Sequence, residues 1–165
     1  NSLLTRIHNI FKTKGYNVVD SRVILKNNLA KKSFNNLQLF KNQINLTKIK
    51  NYLDLTKKFG KRDIGQAVII CNDTIILTEN KNGTDDLIKR YKKLSRDNEF
   101  SLLVKTTKPN QNFYFDIPTI GPDTIINLYN AKIKGIIIEK NKTFLVNPIK
   151  TLNLVNKYKL LYYAI

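Results

Sequence analysis

Two lysines and one aspartate in a proline-rich stretch are the residues of this sequence best suited to chemistry. Lys105 and Lys108 open the segment KTTKPNQNFYFDIPTIGPDT, and Asp116 stands at its middle between apolar neighbours. Pro109, Pro118 and Pro122, three of the chain's four prolines, each fix φ and bias the preceding residue to extended geometry, which stiffens the loop. Long loops without secondary structure are usually functional or disordered. Phe113, Tyr114, Phe115, Ile117 and Ile120 argue against disorder, because disordered segments are poor in such residues. Gly121 permits close backbone approach, and a helix is expected to start near Asp123 and Thr124. Lysines for phosphate oxygens, a carboxylate for a metal or an attacking water, and a helix N-terminus together suit a phosphate site. The same residues suit a proline-rich crossover whose aromatics simply cover a sheet.

Two shorter strings carry similar double meanings. In GTDD, Thr84 is placed to cap a helix, with Asp85 and Asp86 in the first turn against its positive end. In RDIGQAV, Gly65 and Gln66 stand at a strand start, where turn chemistry alone accounts for them. Cys71 and His8 are the single cysteine and the single histidine. They exclude an intrachain disulfide framework and the usual Cys/His zinc sites. Any metal here must be a hard cation on oxygen ligands, such as Mg²⁺.

These residues need a scaffold, and 165 residues with 42% apolar content suffice for one domain with a buried core. No apolar run reaches the roughly 18 residues of a membrane span. The formal charge of +17 suits phosphate-bearing ligands or an acidic membrane surface. The lysines are nevertheless spread along the whole chain, amid the Lys, Asn and Ile excess expected of an A/T-rich genome. No nucleic-acid partner is therefore expected. The absence of methionine points to a processed piece, an excised piece or the downstream part of a longer reading frame, and the bulky Asn1 favours the last two.

The apolar spacing predicts a helix over 3–11 closed by Gly15, then a short strand at 16–19. Residues 21–46 read as a polar linker with at most a helical turn. A second amphipathic helix follows over 46–59. QAVIICNDTIILTEN reads as a hairpin around Asn72-Asp73, whose residues tolerate left-handed conformations. A helix from Thr84, a strand FSLLVK, the long loop and a helix ending near Gly135 come next. GIIIEKNKTFLV reads as a second hairpin around Asn141-Lys142. Pro148 then opens a helix reaching about Lys157, and LLYYAI is a terminal strand. The expected fold is α/β (mixed α+β), a mixed β-sheet with two hairpins and packed helices.

Taken in order, DIGQAVII, NGTDDLI, LLVKTTKPNQNFYFDIPTIGPDTI and KGIIIEKNKTFLV resemble the C-terminal domain of UDP-2,3-diacylglucosamine pyrophosphatases of the LpxI class. The resemblance covers residues 60–160 and extends weakly upstream. It implies a Mg²⁺-dependent enzyme of lipid A biosynthesis in a Gram-negative bacterium, peripheral to the cytoplasmic face of the inner membrane. Such an enzyme splits the pyrophosphate of UDP-2,3-diacylglucosamine to UMP and 2,3-diacylglucosamine 1-phosphate. By the same resemblance, Asp116, Lys105 and Lys108 are catalytic and Asp116 also holds the metal. Gln66, Gly83, Thr84, Asp85, Gln111, Thr119, Gly121 and Thr124 are then the substrate-binding positions.

This sequence departs from the family pattern in three places. Asn82 replaces a glutamate, Asn112 an aspartate and Tyr114 an arginine, which lowers ligand charge and removes a bidentate phosphate grip. Residues 1–27 are expected to be the helix-and-strand remainder of an N-terminal domain, which would be a partner of the C-terminal catalytic-type domain at 28–165. A non-catalytic relic that binds a UDP-sugar lipid is the alternative, and a basic nucleic-acid-binding module a more distant one.

Overall fold

Asn72 and Asp73 carry the chain through a tight reversal in which both residues take positive φ, 48° and 64°, as a two-residue hairpin turn requires. They join β1 (Ala67–Cys71) to β2 (Thr74–Thr78) in antiparallel register, as expected. The computed structural model of the chain describes residues 2–61, 65–94, 99–108, 113–114 and 116–165. The turn is tied to α3 (Leu46–Gly60), where the Tyr52 hydroxyl donates to Asp73 and Lys48 pairs with the same carboxylate at 2.7 Å. Those two partners hold the Asp73 carboxyl below its usual range.

Among the described residues the main sheet has five strands in the order β2-β1-β3-β5-β7. β3 (Ser101–Lys105) runs antiparallel to β1 and parallel to β5 (Gly135–Ile138), which is parallel to β7 (Leu161–Ala164). The parallel neighbours need crossovers, and α5 (Pro122–Asn130) and α6 (Pro148–Lys157) lie in them. All residues of β1, β3 and β5 are buried, as in sheets covered on both faces. Side chains alternate between two cores. Ile69, Leu103 and Ile136 pack with Leu87 and Tyr91 of α4 (Gly83–Lys92), Leu128 of α5 and Val155 of α6. Val68, Val104 and Ile137 pack with Ile49 and Leu53 of α3. Gly135 lets β5 press against β7, since a Cβ there would lie 2.3 Å from the Leu161 carbonyl oxygen.

The α/β class with a mixed sheet is the observed one, but four local expectations change. GIIIEKNKTFLV is not a hairpin: both edges of β5 are taken by β3 and β7, so β6 (Phe144–Leu145) instead pairs in parallel with β4 (Thr119–Ile120) in a separate two-stranded sheet. The helix after the loop ends at Asn130, and Lys132 turns the chain with φ 58°. Residues 16–19 form no strand. Residues 21–46 are not merely a linker. They hold α2 (Ser21–Ile24) and 3-10 turns at Lys26–Asn28, Lys32–Phe34 and Leu37–Phe40.

That segment covers the free edge of β7. The Asn36 side chain accepts from the Tyr162 N–H at 2.8 Å and donates to the Leu160 carbonyl at 2.9 Å. Asn35 accepts from the Ala164 N–H at 2.7 Å and donates to the Ala164 carbonyl at 3.0 Å. A side-chain amide presents the same donor and acceptor as a peptide group, so two asparagines stand in for a neighbouring strand. Nothing in apolar periodicity signals such a role.

Candidate active site

Because β1 runs antiparallel to both β2 and β3, the carboxyl ends of β2, β3 and β5 share one edge of the sheet. A charged residue stands at each of these ends: Glu79 just after β2, Lys105 closing β3 and Glu139 just after β5. Ligands of open α/β sheets bind in the crevice outside such strand ends. The first turn of α4 lies beside Lys105, and α5 begins three residues after Thr119, whose carbonyl Lys105 also reaches, so helix N-termini and their positive dipoles border this edge.

Lys105 is 6% exposed. Its ammonium donates to the Thr84 hydroxyl at 2.9 Å and to the Thr119 carbonyl at 3.2 Å. Burial pushes its pKa down from the ordinary lysine value, and the carboxylates of Glu79, Asp85 and Asp116 oppose that shift. Thr84 does not cap α4 as expected. Asn82 occupies the cap position without a side-chain hydrogen bond, and Gly83 opens the helix with φ 84°. The Thr84 hydroxyl is turned into the site, where it donates to Glu79 Oε1 at 2.5 Å. Asp85 and Asp86 lie in the first turn, and Asp85 accepts from Asn127 of α5 at 3.3 Å.

Glu79 is also 6% exposed, and its second oxygen accepts from the Gln66 N–H at 2.7 Å. Gly65 has its explanation here. A Cβ at that position would lie 2.8 Å from the Glu79 Cβ, closer than two carbons can approach. Gln66 contributes its main chain, which also accepts from the Thr106 N–H at 2.9 Å. Its side-chain Oε1 is buried with no hydrogen-bond partner among the described residues.

Glu139 anchors the entry of the loop. It is 5% exposed and accepts from the N–H and hydroxyl of Thr107 at 2.6 and 2.7 Å, while pairing with Lys57 at 3.1 Å and Lys142 at 3.5 Å. Burial works against its ionisation, but the Thr107 donors and the two lysines prevail and hold the carboxyl below the usual range. At 113–114 the loop is held by the N-terminal segment. Ser21 donates to the Phe113 carbonyl at 2.7 Å, the Arg22 guanidinium lies 3.8 Å from the Phe113 ring centre, and the His8 and Tyr114 rings meet at a tilt of 31° with centres 5.1 Å apart. Asp20 fixes Arg22 in a two-pronged ion pair.

The fold thus gathers Lys105, Thr84, Asp85 and Asp116 in one electrostatic neighbourhood, with Gly83 and Gly121 at the starts of α4 and α5. Thr119 offers its carbonyl to Lys105, while its hydroxyl bonds the Ile117 carbonyl at 2.9 Å. Thr124 accepts from the Gly121 N–H at 3.3 Å within the α5 cap. Lys108 is half-buried at the loop entry. Gln111 and Asn112 lie outside the described residues. Glu79 and Glu139 were not singled out in the sequence. The available signal was a glutamate directly after an apolar strand run, in TIILTE and GIIIE.

Among the described residues no three Asp, Glu, His or Cys side chains gather as a metal cage. Mg²⁺ commonly takes one or two carboxylates and completes its shell with water and substrate phosphates. Asp116 and Asp85 fit that donor chemistry. Glu79 does not, because both its oxygens are occupied by protein donors.

The LpxI C-terminal domain family matches residues 37–163. The UDP-2,3-diacylglucosamine pyrophosphatase LpxI of Caulobacter vibrioides is 31% identical over 101 residues, a stretch covering 58% of this chain and 36% of that relative. The chain therefore spans well under two thirds of the length of this relative. With the family matched along most of the described fold, including every strand that builds the lysine-centred edge, the chain belongs to the LpxI C-terminal domain family.

Proposed function

We propose that this chain carries the phosphate-handling part of an enzyme that hydrolyses the pyrophosphate of UDP-2,3-diacylglucosamine. The products are UMP and 2,3-diacylglucosamine 1-phosphate, in lipid A biosynthesis. The observation that carries this reading is Lys105, a buried lysine at the carboxyl edge of the sheet, bonded to the first turn of α4 and to the strand that leads into α5. An ammonium has three N–H donors, and two are used by Thr84 and Thr119. The third has no partner among the described residues and can serve a phosphoryl oxygen. Lys108 and the N–H groups at the start of α5 add positive potential for a ligand with several anionic oxygens.

Hydrolysis forms one bond, from a water oxygen to phosphorus, and breaks the bridging P–O bond. Asp116 orients the water or takes up its proton, and Lys105 with Lys108 neutralises charge gathering on the departing phosphate. Bound Mg²⁺, held by Asp116 with Asp85, would polarise the phosphoryl oxygens. No helix among the described residues is long and apolar enough to cross a membrane. The reading places the chain at the cytoplasmic membrane face as a peripheral protein, with an N-terminal domain completing the lipid pocket.

A binding-only role is the second reading. Tyr114, at the position where the resemblance expects arginine, is engaged with the His8 ring. The deciding experiment follows Mg²⁺-dependent UMP release from UDP-2,3-diacylglucosamine, by this chain alone and with the N-terminal region of the Caulobacter relative supplied. Release that Asp116→Ala abolishes is the expected result. Binding of the lipid without release in either form establishes the second reading instead.

A further inference from the structure

Glu79 has a role at this edge that neither its sequence context nor the family resemblance assigns. The Thr84 hydroxyl has one proton, and that proton is committed to Glu79 Oε1 at 2.5 Å. Its oxygen lone pairs are thereby left facing the Lys105 ammonium, which donates to them at 2.9 Å. The direction of both bonds follows from the charges: a carboxylate only accepts and an ammonium only donates. Glu79 itself is held from the other side by the Gln66 N–H at 2.7 Å. The bare Cα of Gly65 lets the glutamate seat so closely.

A carboxylate free to swing would form a direct ion pair with Lys105 and compete with an incoming phosphate for its donors. Anchored by Gln66, it acts one hydroxyl away. We propose that Glu79 is the positioning residue of this site, holding Lys105 through Thr84 with one ammonium N–H presented to the substrate's phosphate. This rests on the pyrophosphatase reading above for the identity of the substrate, but not for the geometry. Glu79→Gln keeps an acceptor for Gln66 and the side-chain size. Its amide, when turned toward Thr84, offers a donor where an acceptor is needed. Thr84→Val removes the middle link and leaves the Glu79–Gln66 bond in place.

The test combines UMP release from UDP-2,3-diacylglucosamine with Mg²⁺ and ¹H–¹⁵N spectra of the lysine side-chain ammonium groups. Wild type is compared with Glu79→Gln, Glu79→Asp and Thr84→Val. A hydrogen-bonded, buried Lys105 ammonium exchanges slowly and gives a resolved signal in the wild-type protein. The expected result is loss of that signal in Glu79→Gln and Thr84→Val. A fall in kcat of roughly 100-fold, the scale for losing one oriented electrostatic donor, should accompany it with KM changed only a few-fold. Glu79→Asp, which retains the charge, should recover part of both. A Lys105 signal and kcat that persist in folded Glu79→Gln and Thr84→Val overturn the proposal. So does an equal fall in all three variants with the signal intact, which marks a merely structural glutamate. If wild type releases no UMP, the functional reading fails, and the ammonium spectra still decide the role of Glu79.

Discussion

A buried glutamate has different consequences depending on the donors around it. Glu139 receives two hydrogen bonds from Thr107 and two lysine ion pairs, and its folded pKa lies below the ordinary glutamate value of 4.5. Such a group adds stability above its unfolded pKa, and that contribution is lost as pH falls through the lower folded pKa. Glu139→Gln is therefore expected to cost about 2 kcal/mol near neutral pH, the scale for buried charge-assisted bonds. The difference from wild type should shrink as the pH falls below about 4. Urea unfolding at a series of pH values measures it, and a constant difference at all pH would show that packing, not charge, anchors the loop entry.

At the scale of elements, the edge of β7 is closed without a strand. Asn36 pairs its side chain with the main chain on both sides of Leu161. Replacing it by alanine leaves the buried Tyr162 N–H without its acceptor, a cost of about 1–3 kcal/mol. It also leaves part of a sheet edge unpaired, and bare edges template association between chains. Asn36→Ala is expected to lower the urea midpoint and to show concentration-dependent light scattering, both absent from an exposed control such as Lys41→Ala. Unchanged scattering would mean that the 3-10 turns alone shield the edge.

For the whole molecule, the N-terminal segment is attached to the loop more than to either core. Among the described residues, none of Leu3–Thr13 in α1 (Ser2–Thr13) and none of α2 is buried, and Leu3, Ile10, Phe11, Val23 and Ile24 are exposed. Its contacts to the loop among the described residues run through Ser21, Arg22 and His8 to Phe113 and Tyr114. Removing residues 1–24 is expected to change unfolding free energy by only about 1 kcal/mol, as for surface changes. Turnover should fall roughly tenfold or more, because a small misplacement of reacting groups is costly. Paired unfolding and UMP-release measurements would show it, and a large loss of stability would instead make this segment part of the folding unit.

Local physics made much of this protein legible in one dimension. Helical spacing located α3, α4 and α6, and the left-handed tolerance of Asn72 and Asp73 located the hairpin. Three prolines, two lysines and Asp116 marked the loop, since each acts through its own backbone or charge. What the residues could not say alone is which strand lies beside which. GIII looks the same whether it pairs with the segment after it or sits between β3 and β7, because a buried strand's partners are set by topology and not by its own pattern. For the same reason Thr84 read as a helix cap and Glu79 as the end of a hairpin. Only the sheet order, by bringing the ends of β2 and β3 to one edge, made those two residues the support of Lys105.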